Sequence, residues 1–248
     1  ARPSAVKLIR QAALHSDAEK REMLEQRFQR EAKATAQLRS PNTVELYDFG
    51  ITDDGDFYYV MEYLNGVDLQ SLVRQYGPLP PARAGYLLAQ ACASLGEAHQ
   101  AGLVHRDSKP DNLFACQLGT QYDFLKLLDF GIVGSTAAAD QTDASKGWIK
   151  GTPSSISPEA ARGEQATFES DIYSLGCVAY WLLTGRHVFE AKSIMAMLLK
   201  HVSEEPKPAS EIRPDVPTQL DQLVLQCLAK NPADRPSNAL DLAETMAS

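Results

Sequence analysis

His105-Arg106-Asp107-Ser108-Lys109-Pro110-Asp111-Asn112, followed further along by Asp129-Phe130-Gly131, is the stretch that decides how this chain is read. It sets a carboxylate, an ammonium and an amide within one short loop, and a second carboxylate about a hairpin's length later. Phosphoryl transfer from ATP asks for that set of charges, because its chemistry is mostly positioning and neutralisation rather than covalent work. Asp107 is a candidate to accept a hydroxyl proton, and Lys109 to steady the moving phosphate. Asn112 and Asp129 offer hard oxygen ligands of the kind that suit magnesium. Singly, each piece has an ordinary explanation, since Asp-Phe-Gly is a turn and His-x-Asp is loop chemistry. Their order and spacing together argue against coincidence.

At 248 residues the chain has room for one large domain or two packed lobes. An apolar share of 44% is ample for a sizeable core. The formal charge is −8 without a basic block, which argues against nucleic acid as a partner. An acidic surface favours basic peptides, although a solvated acidic face explains the same charge. Cys92, Cys116, Cys177 and Cys227 stand isolated, without metal-ligand spacing. Three of them lie in apolar, helix-like runs where cysteine behaves as a small hydrophobe. A reducing cytosol is the simplest compartment, so a cytoplasmic segment is expected. No apolar stretch approaches the ~20 residues of a membrane helix, and no membrane contact is expected from this segment. Residues 175–183 are the most apolar and read as a buried core helix. No signal peptide is visible. The chain opens at Ala1 without an initiator methionine, so a fragment of a longer protein is expected, with any membrane anchor outside it.

Working outward, residues 4–10 read as a strand carrying Lys7. Ser16-Asp17 offers an N-cap to a polar helix running to about Leu38. Leu24, Phe28, Glu31, Thr35 and Leu38 recur at three- and four-residue steps and share one face. A glutamate on that inward stripe needs a cation, and Lys7 is the candidate. Residues 44–50 and 56–62 read as strands joined through Asp53-Asp54-Gly55. Beyond Asn65-Gly66 the pattern turns helical. Pro80-Pro81 opens a long helix with Leu88, Ala91, Leu95 and Ala98 on one side, and Gly102 stops it. Short strands near 113–116 and 124–128 flank a polar loop at 117–123. From Phe168 onward the chain looks helical, broken by a Pro-rich connection at 206–217.

In these motifs the chain resembles the catalytic domain of protein kinases, with Lys109 following the serine/threonine pattern. The run 206–217 and Leu228-Ala229-Lys230-Asn231-Pro232 are similar to those of bacterial, eukaryotic-like (Hanks-type) kinases. The resemblance extends from Ala5 to about Leu242. It implies an α+β, bilobal fold: a small, truncated β-sheet lobe with one helix over 1–61, a hinge at 62–65, and a larger mostly helical lobe over 66–248. ATP and Mg2+ would sit in the cleft between them. The resemblance implies transfer of the γ-phosphoryl group to Ser/Thr hydroxyls of protein substrates, self-phosphorylation in trans included.

Residue by residue, Lys7 matches the family's strand lysine and Glu31 its helix glutamate, paired so that the ammonium meets the α- and β-phosphates. Ala5, Leu128 and Phe114 would sandwich the adenine. Met61 holds the gatekeeper position, Glu62 and Leu64 would offer backbone hydrogen bonds, and Asp68 would take a ribose hydroxyl. Asp107, Lys109, Asn112 and Asp129 carry the chemistry, with Asn112 and Asp129 on the metal. Arg106 would receive a phosphate on the segment Asp129–Glu159, where Ser135, Thr136, Thr142 and Ser145 are candidates. Gly151-Thr152-Pro153 resembles a peptide-binding loop whose threonine touches the catalytic Asp and Lys. Glu159 would pair with Arg235, and Asp171 would hold the backbone of the catalytic loop.

The chain departs from the family in four places. The glycine-rich loop that should precede Lys7 is absent, because only six residues stand before it. Losing two or three charge-assisted hydrogen bonds, at ~1.5–3 kcal/mol each, would weaken ATP binding by ~10³-fold. The sheet would also keep an open edge and an uncovered face. An upstream segment is expected to supply the missing strands. Ser108, Ser155 and Ser40 replace an aliphatic residue, an aromatic and a histidine respectively. Two rival readings follow: a pseudokinase used as a binding module, and a small-molecule phosphotransferase, which shares the His-x-Asp loop but not the peptide-docking apparatus.

Overall fold

The structure, a computed structural model, describes residues 2–9, 18–130 and 152–246, without the side chains of 18–21 and 244. Three strands, β1 (Ser4–Ile9), β2 (Leu46–Ile51) and β3 (Phe57–Glu62), form an antiparallel sheet in the order β1-β3-β2. The register pairs Ala5 with Met61, Lys7 with Tyr59 and Ile9 with Phe57, so these alternate side chains share one face. That face packs against helix α1 (Ala18–Thr35), which contributes Leu24 and the fully buried Phe28. Phe28 stacks on Phe57 with ring centroids 4.5 Å apart and meets Phe49 edge-on at 6.3 Å. Val6 and Leu8 point to the opposite face and are exposed. Among the described residues β1 is one edge of the sheet.

Residues 36–45 leave α1 and are fastened to the rest of the molecule. The amides of Arg39 and Ser40 both donate to the Glu97 carboxylate at 2.6 Å. Asn42 Nδ2 donates to the Leu125 carbonyl at 2.9 Å, and the Thr43 and Ser94 hydroxyls meet at 2.7 Å. Val44 N donates to Leu127 O, and Leu127 N to Asn42 O. Lys126 closes the joint by reaching Glu62 Oε1 at 2.6 Å.

A second small sheet, β4 (Gly66–Asp68), β5 (Leu113–Leu118) and β6 (Gln121–Leu127), lies on a helical body. The body comprises α2 (Leu69–Tyr76), α3 (Pro81–Gln100), α4 (Pro158–Ala161), α5 (Phe168–Thr184), α6 (Ile194–Ser203), α7 (Ala209–Ile212), α8 (Thr218–Cys227) and α9 (Ala239–Met246). Its core joins Leu87, Leu88, Ala91 and Leu95 of α3 to Ile172, Val178 and Leu182 of α5. Helix α5 is buried from Ser170 to Thr184, which is why 175–183 is so apolar without approaching a membrane span. No described helix is long and apolar enough to cross a membrane. The four cysteines are free and buried.

Three expectations need correction. Strand β4 precedes the helices where a helical pattern was expected, because Gly66 lets the chain lie against the β5 backbone. A Cβ at Gly66 would fall 2.2 Å from Ala115 O. The polar stretch 117–123 is mostly hairpin: Leu118 pairs with Gln121, and Gly119 makes the turn at φ 60°. Its polarity reflects exposure rather than irregular structure. The Pro-rich connection contains α7, whose first amide, from Ala209, donates to Asp221 of α8 at 2.7 Å.

Helices α5 and α8 approach closely at Gly176, where a Cβ would lie 2.8 Å from that of Cys227. Gly176→Val is expected to cost about 1–3 kcal/mol by overpacking, read from the midpoint of urea denaturation. An unchanged midpoint would mean that the helices separate freely there.

Candidate active site

The stretch 105–112 hangs between α3 and β5, and its backbone is held by a carboxylate from α5. Asp171 is fully buried; its Oδ2 accepts the amide of His105 at 2.7 Å and Nε2 of His99 at 2.9 Å. Its Oδ1 accepts the Arg106 amide at 2.7 Å. That grip holds Arg106 at φ 68°, a left-handed conformation that non-glycine residues seldom adopt. His105 ties the two motifs together. Its Nδ1 accepts the Asp107 amide at 3.3 Å, so Nε2–H donates to the Leu128 carbonyl at 2.8 Å. The ring also meets Phe130 edge-on at 4.8 Å. Leu128 N in turn donates to Asn112 O at 2.9 Å. Residues 105–112 and 127–130 are therefore one connected unit.

Within that unit Asp107 is held on both oxygens. Lys109 Nζ donates to Oδ2 at 2.7 Å, and Thr152 Oγ1 donates to Oδ1 at 2.9 Å. Asn112 Nδ2 donates to the Asp107 carbonyl at 2.8 Å, and no described donor meets its Oδ1. Ser108 is buried with its hydroxyl unpartnered among the described residues. Such a group costs about 1–3 kcal/mol. Ser108→Ala is accordingly expected to raise stability by about 1 kcal/mol in thermal melts, and a loss of that size would mean an unseen partner.

Asp129 sits at φ 59° and reaches up to the small sheet. Its Oδ2 accepts Lys7 Nζ and its Oδ1 accepts the hydroxyl of Tyr59. Burial, then the Asp129 charge and hydrogen bond, push the Tyr59 phenol far above its ordinary range, so it stays a donor. The expected Lys7–Glu31 ion pair is not formed. Glu31 Oε1 instead accepts Arg106 Nη1 at 3.2 Å and Arg27 Nε at 3.4 Å. Two described guanidiniums meet Glu31, and the carboxylate of Asp129 meets Lys7. Arg106, expected to await a phosphate, is committed to Glu31 here.

The nucleotide-side candidates fall on the two small sheets and the segments that follow them. Ala5 and Met61 are register partners on the inner face of the small sheet. Phe114 opposes Asp68 across β4 and β5, and Leu128 follows β6. Asp68 caps α2, accepting Ser71 N at 2.7 Å. The Glu62 amide already donates to Glu45 O, and its carboxylate accepts from Glu45 N and Lys126 Nζ. Leu64 keeps an amide without a described partner. Ser135, Thr136, Thr142, Ser145, Gly131 and Gly151 lie outside the described residues, as does the expected cap at Ser16-Asp17.

Glu159 and Arg235 meet as expected, bidentate at 2.8 and 2.9 Å and buried. Burial pushes the Glu159 carboxyl up, but hydrogen bonds from Arg235 and Ser170 outweigh it and hold it at about 2.

As to a metal, no cluster of three or more His, Cys, Asp or Glu suited to one occurs among the described residues. The donors present are the free Oδ1 of Asn112 and the Asp129 carboxylate. This set fits magnesium, which takes one or two protein oxygens and completes its shell with phosphates and water.

The sequence profile of the protein kinase domain matches residues 2–246. The chain belongs to the protein kinase family. Over 217 residues it is 42% identical to serine/threonine-protein kinase pkn3 of Myxococcus xanthus, covering 86% of this chain and 40% of that protein. Over 219 residues it is 41% identical to serine/threonine-protein kinase PknB of Mycolicibacterium smegmatis, covering 87% and 34%. The kinase domain of Mycobacterium tuberculosis PknI, in a double-mutant crystal structure, superimposes with a TM-score of 0.73 at 26% identity. That match covers 98% of this chain and 83% of the other. The chain spans well under half the length of the curated relatives it matches. The fold is the kinase fold, with a small β-sheet lobe and a larger helical one, of the bacterial Hanks type.

Two features of this site escaped the sequence reading. Tyr59 shares the alternation of Phe57 and Met61, so its inward direction was legible, but its meeting with Asp129 depends on lobe packing. The Lys126–Glu62 strut carried no local signal at all.

Proposed function

We propose that this chain is the catalytic domain of an ATP- and magnesium-dependent protein serine/threonine kinase. The domain is divided into a small lobe over 1–61, a hinge at 62–65 and a large lobe over 66–248. The observation that carries this reading is the double grip of Thr152 and Lys109 on Asp107. It joins a proton acceptor, a cation for the moving phosphoryl group and the rim of a peptide-docking segment in one contact set.

Asp107 orients the acceptor Ser or Thr hydroxyl and takes its proton late, as a loose transition state requires. Lys109, beside it, balances the charge of the phosphoryl group in transit. Asn112 and Asp129 would hold magnesium, which would supply neutralisation of the phosphate oxygens. Lys7 lies close enough to Asp129 to serve the same triphosphate. Adenine fits between Ala5 and the pair Leu128 and Phe114, with Met61 behind it, a backbone contact at Glu62 or Leu64, and Asp68 toward the ribose. Protein hydroxyls are the acceptors, self-phosphorylation in trans included. Small alcohols are disfavoured because Thr152, which meets Asp107, belongs to the stretch Gly151-Thr152-Pro153 that resembles a peptide-binding loop.

Transfer of radiolabelled γ-phosphate by the full-length protein tests this. Label on protein Ser or Thr, dependent on Asp107, is the expected result. Label only on antibiotics or choline-like alcohols would favour the small-molecule reading, and none on any acceptor the scaffold reading.

A further inference from the structure

We propose that Tyr59 is a positioning residue for Asp129, fixing the carboxylate in the orientation from which it takes up the divalent cation. The inference rests on the kinase reading above and adds to it a residue which that reading does not use. Tyr59 and Lys7 are direct partners across β1 and β3, on the inner face of the small sheet. Both reach the same carboxylate, Lys7 at Oδ2 and Tyr59 at Oδ1. The Lys7 ammonium also lies 5.9 Å from the Tyr59 ring centroid, so the two side chains are held as a pair.

The Tyr59 ring is packed among Ile9, Leu24, Phe28 and Phe57 and is 1% exposed. A phenol so deeply placed needs a partner for its O–H, and no surface route offers one. Asp129 is the described acceptor. The consequence runs the other way too. Asp129 stands at a left-handed backbone position on the large lobe, with no other described donor on its side chain. Two donors from two neighbouring strands remove its freedom to rotate. Each carboxylate oxygen has about two acceptor directions. One on each is used by the protein, which leaves one on each for a cation. Groups that hydrogen-bond a metal-binding side chain commonly alter metal affinity by 10–100-fold when removed.

The test is the ratio of nucleotide affinity with and without Mg2+, measured on the full-length protein by titrating a fluorescent ADP analogue. Tyr59→Phe keeps the ring and loses the hydroxyl, and is expected to lower that ratio about tenfold. It should also raise the Mg2+ concentration at half-saturation. Rescue is not expected from Tyr59→Met, which fills the space flexibly and also lacks the hydroxyl, so it should match the Phe variant. A ratio unchanged in Tyr59→Phe, or lowered only in Tyr59→Met, would assign Tyr59 to packing and overturn the proposal. Wild type that binds no nucleotide at any Mg2+ concentration would instead overturn the kinase reading itself.

Discussion

Asp107→Asn is expected to slow phosphoryl transfer by about 10²–10⁴-fold, the usual contribution of a positioned general base. The two side chains have nearly the same shape, so the loop should stay folded on its Asp171 anchors. What changes is chemistry. Asparagine cannot take the hydroxyl proton, and its amide must turn either an N–H₂ toward Lys109 or one toward Thr152. Lys109, at 2.7 Å, needs an acceptor and keeps the amide oxygen, while the Thr152 hydroxyl, at 2.9 Å, can turn to accept from the N–H₂, so both contacts can persist. Single-turnover transfer of labelled phosphate, beside a nucleotide-binding titration, reads chemistry and binding apart. More than half the wild-type rate in the variant would remove Asp107 from the chemistry.

Breaking the Glu159–Arg235 pair is the largest expected loss of stability. The Arg235 guanidinium also donates to Ala229 O at 2.9 Å and Glu169 O at 2.8 Å, and its Cζ lies 5.0 Å from the centre of the Tyr173 ring. Glu159→Ala would leave that cation buried without its counterion, at about 3–5 kcal/mol. For a domain of this size the melting temperature should fall by roughly 10 °C. Glu159→Leu combined with Arg235→Leu should recover part of the loss, because no buried charge is then left alone. A double variant no better than the single one would place the energy elsewhere.

The same pair gives an acid limit. In the folded chain Glu159 titrates at about 2, below the ~4.3 of an unfolded glutamate. Its stabilisation is therefore whole above pH ~4.5 and is lost as the pH falls toward 2. The amount is on the order of 3 kcal/mol. Denaturant titrations across that window should show the slope in wild type and not in Glu159→Gln.

The elements that sequence made legible are those with a strong period or a strong stop signal. Leu88, Ala91, Leu95 and Ala98 gave α3 because one apolar stripe faces one core. Leu24, Phe28 and Thr35 gave α1 in the same way. The two strands β2 and β3 followed from alternation and the Asp54-Gly55 turn. Strand β4 was missed because three residues are too few to show a period. The short helix α7 was missed because its cap comes from Asp221, which lies outside it.

At the site, the motif residues Asp107, Lys109 and Asn112 are neighbours in the chain, so their convergence was legible. The partner of Lys7 was not. An inward glutamate on α1 implied a cation, but the choice between Lys7 and Arg106 is made by how the two lobes meet. Periodicity carries no information about that meeting.

The connection after α1 has one more implication. Because residues 39–44 are bolted to α3 and β6, the end of α1 near Thr35 is a fixed fulcrum. At 1.5 Å per residue, Glu31 stands only about 6 Å from it, while the far end of the helix is about 26 Å away. A tilt that carries Glu31 a small step sideways therefore sweeps the opposite end through an arc about four times as long. Whatever pushes on that distant end works with leverage on the charge of Glu31.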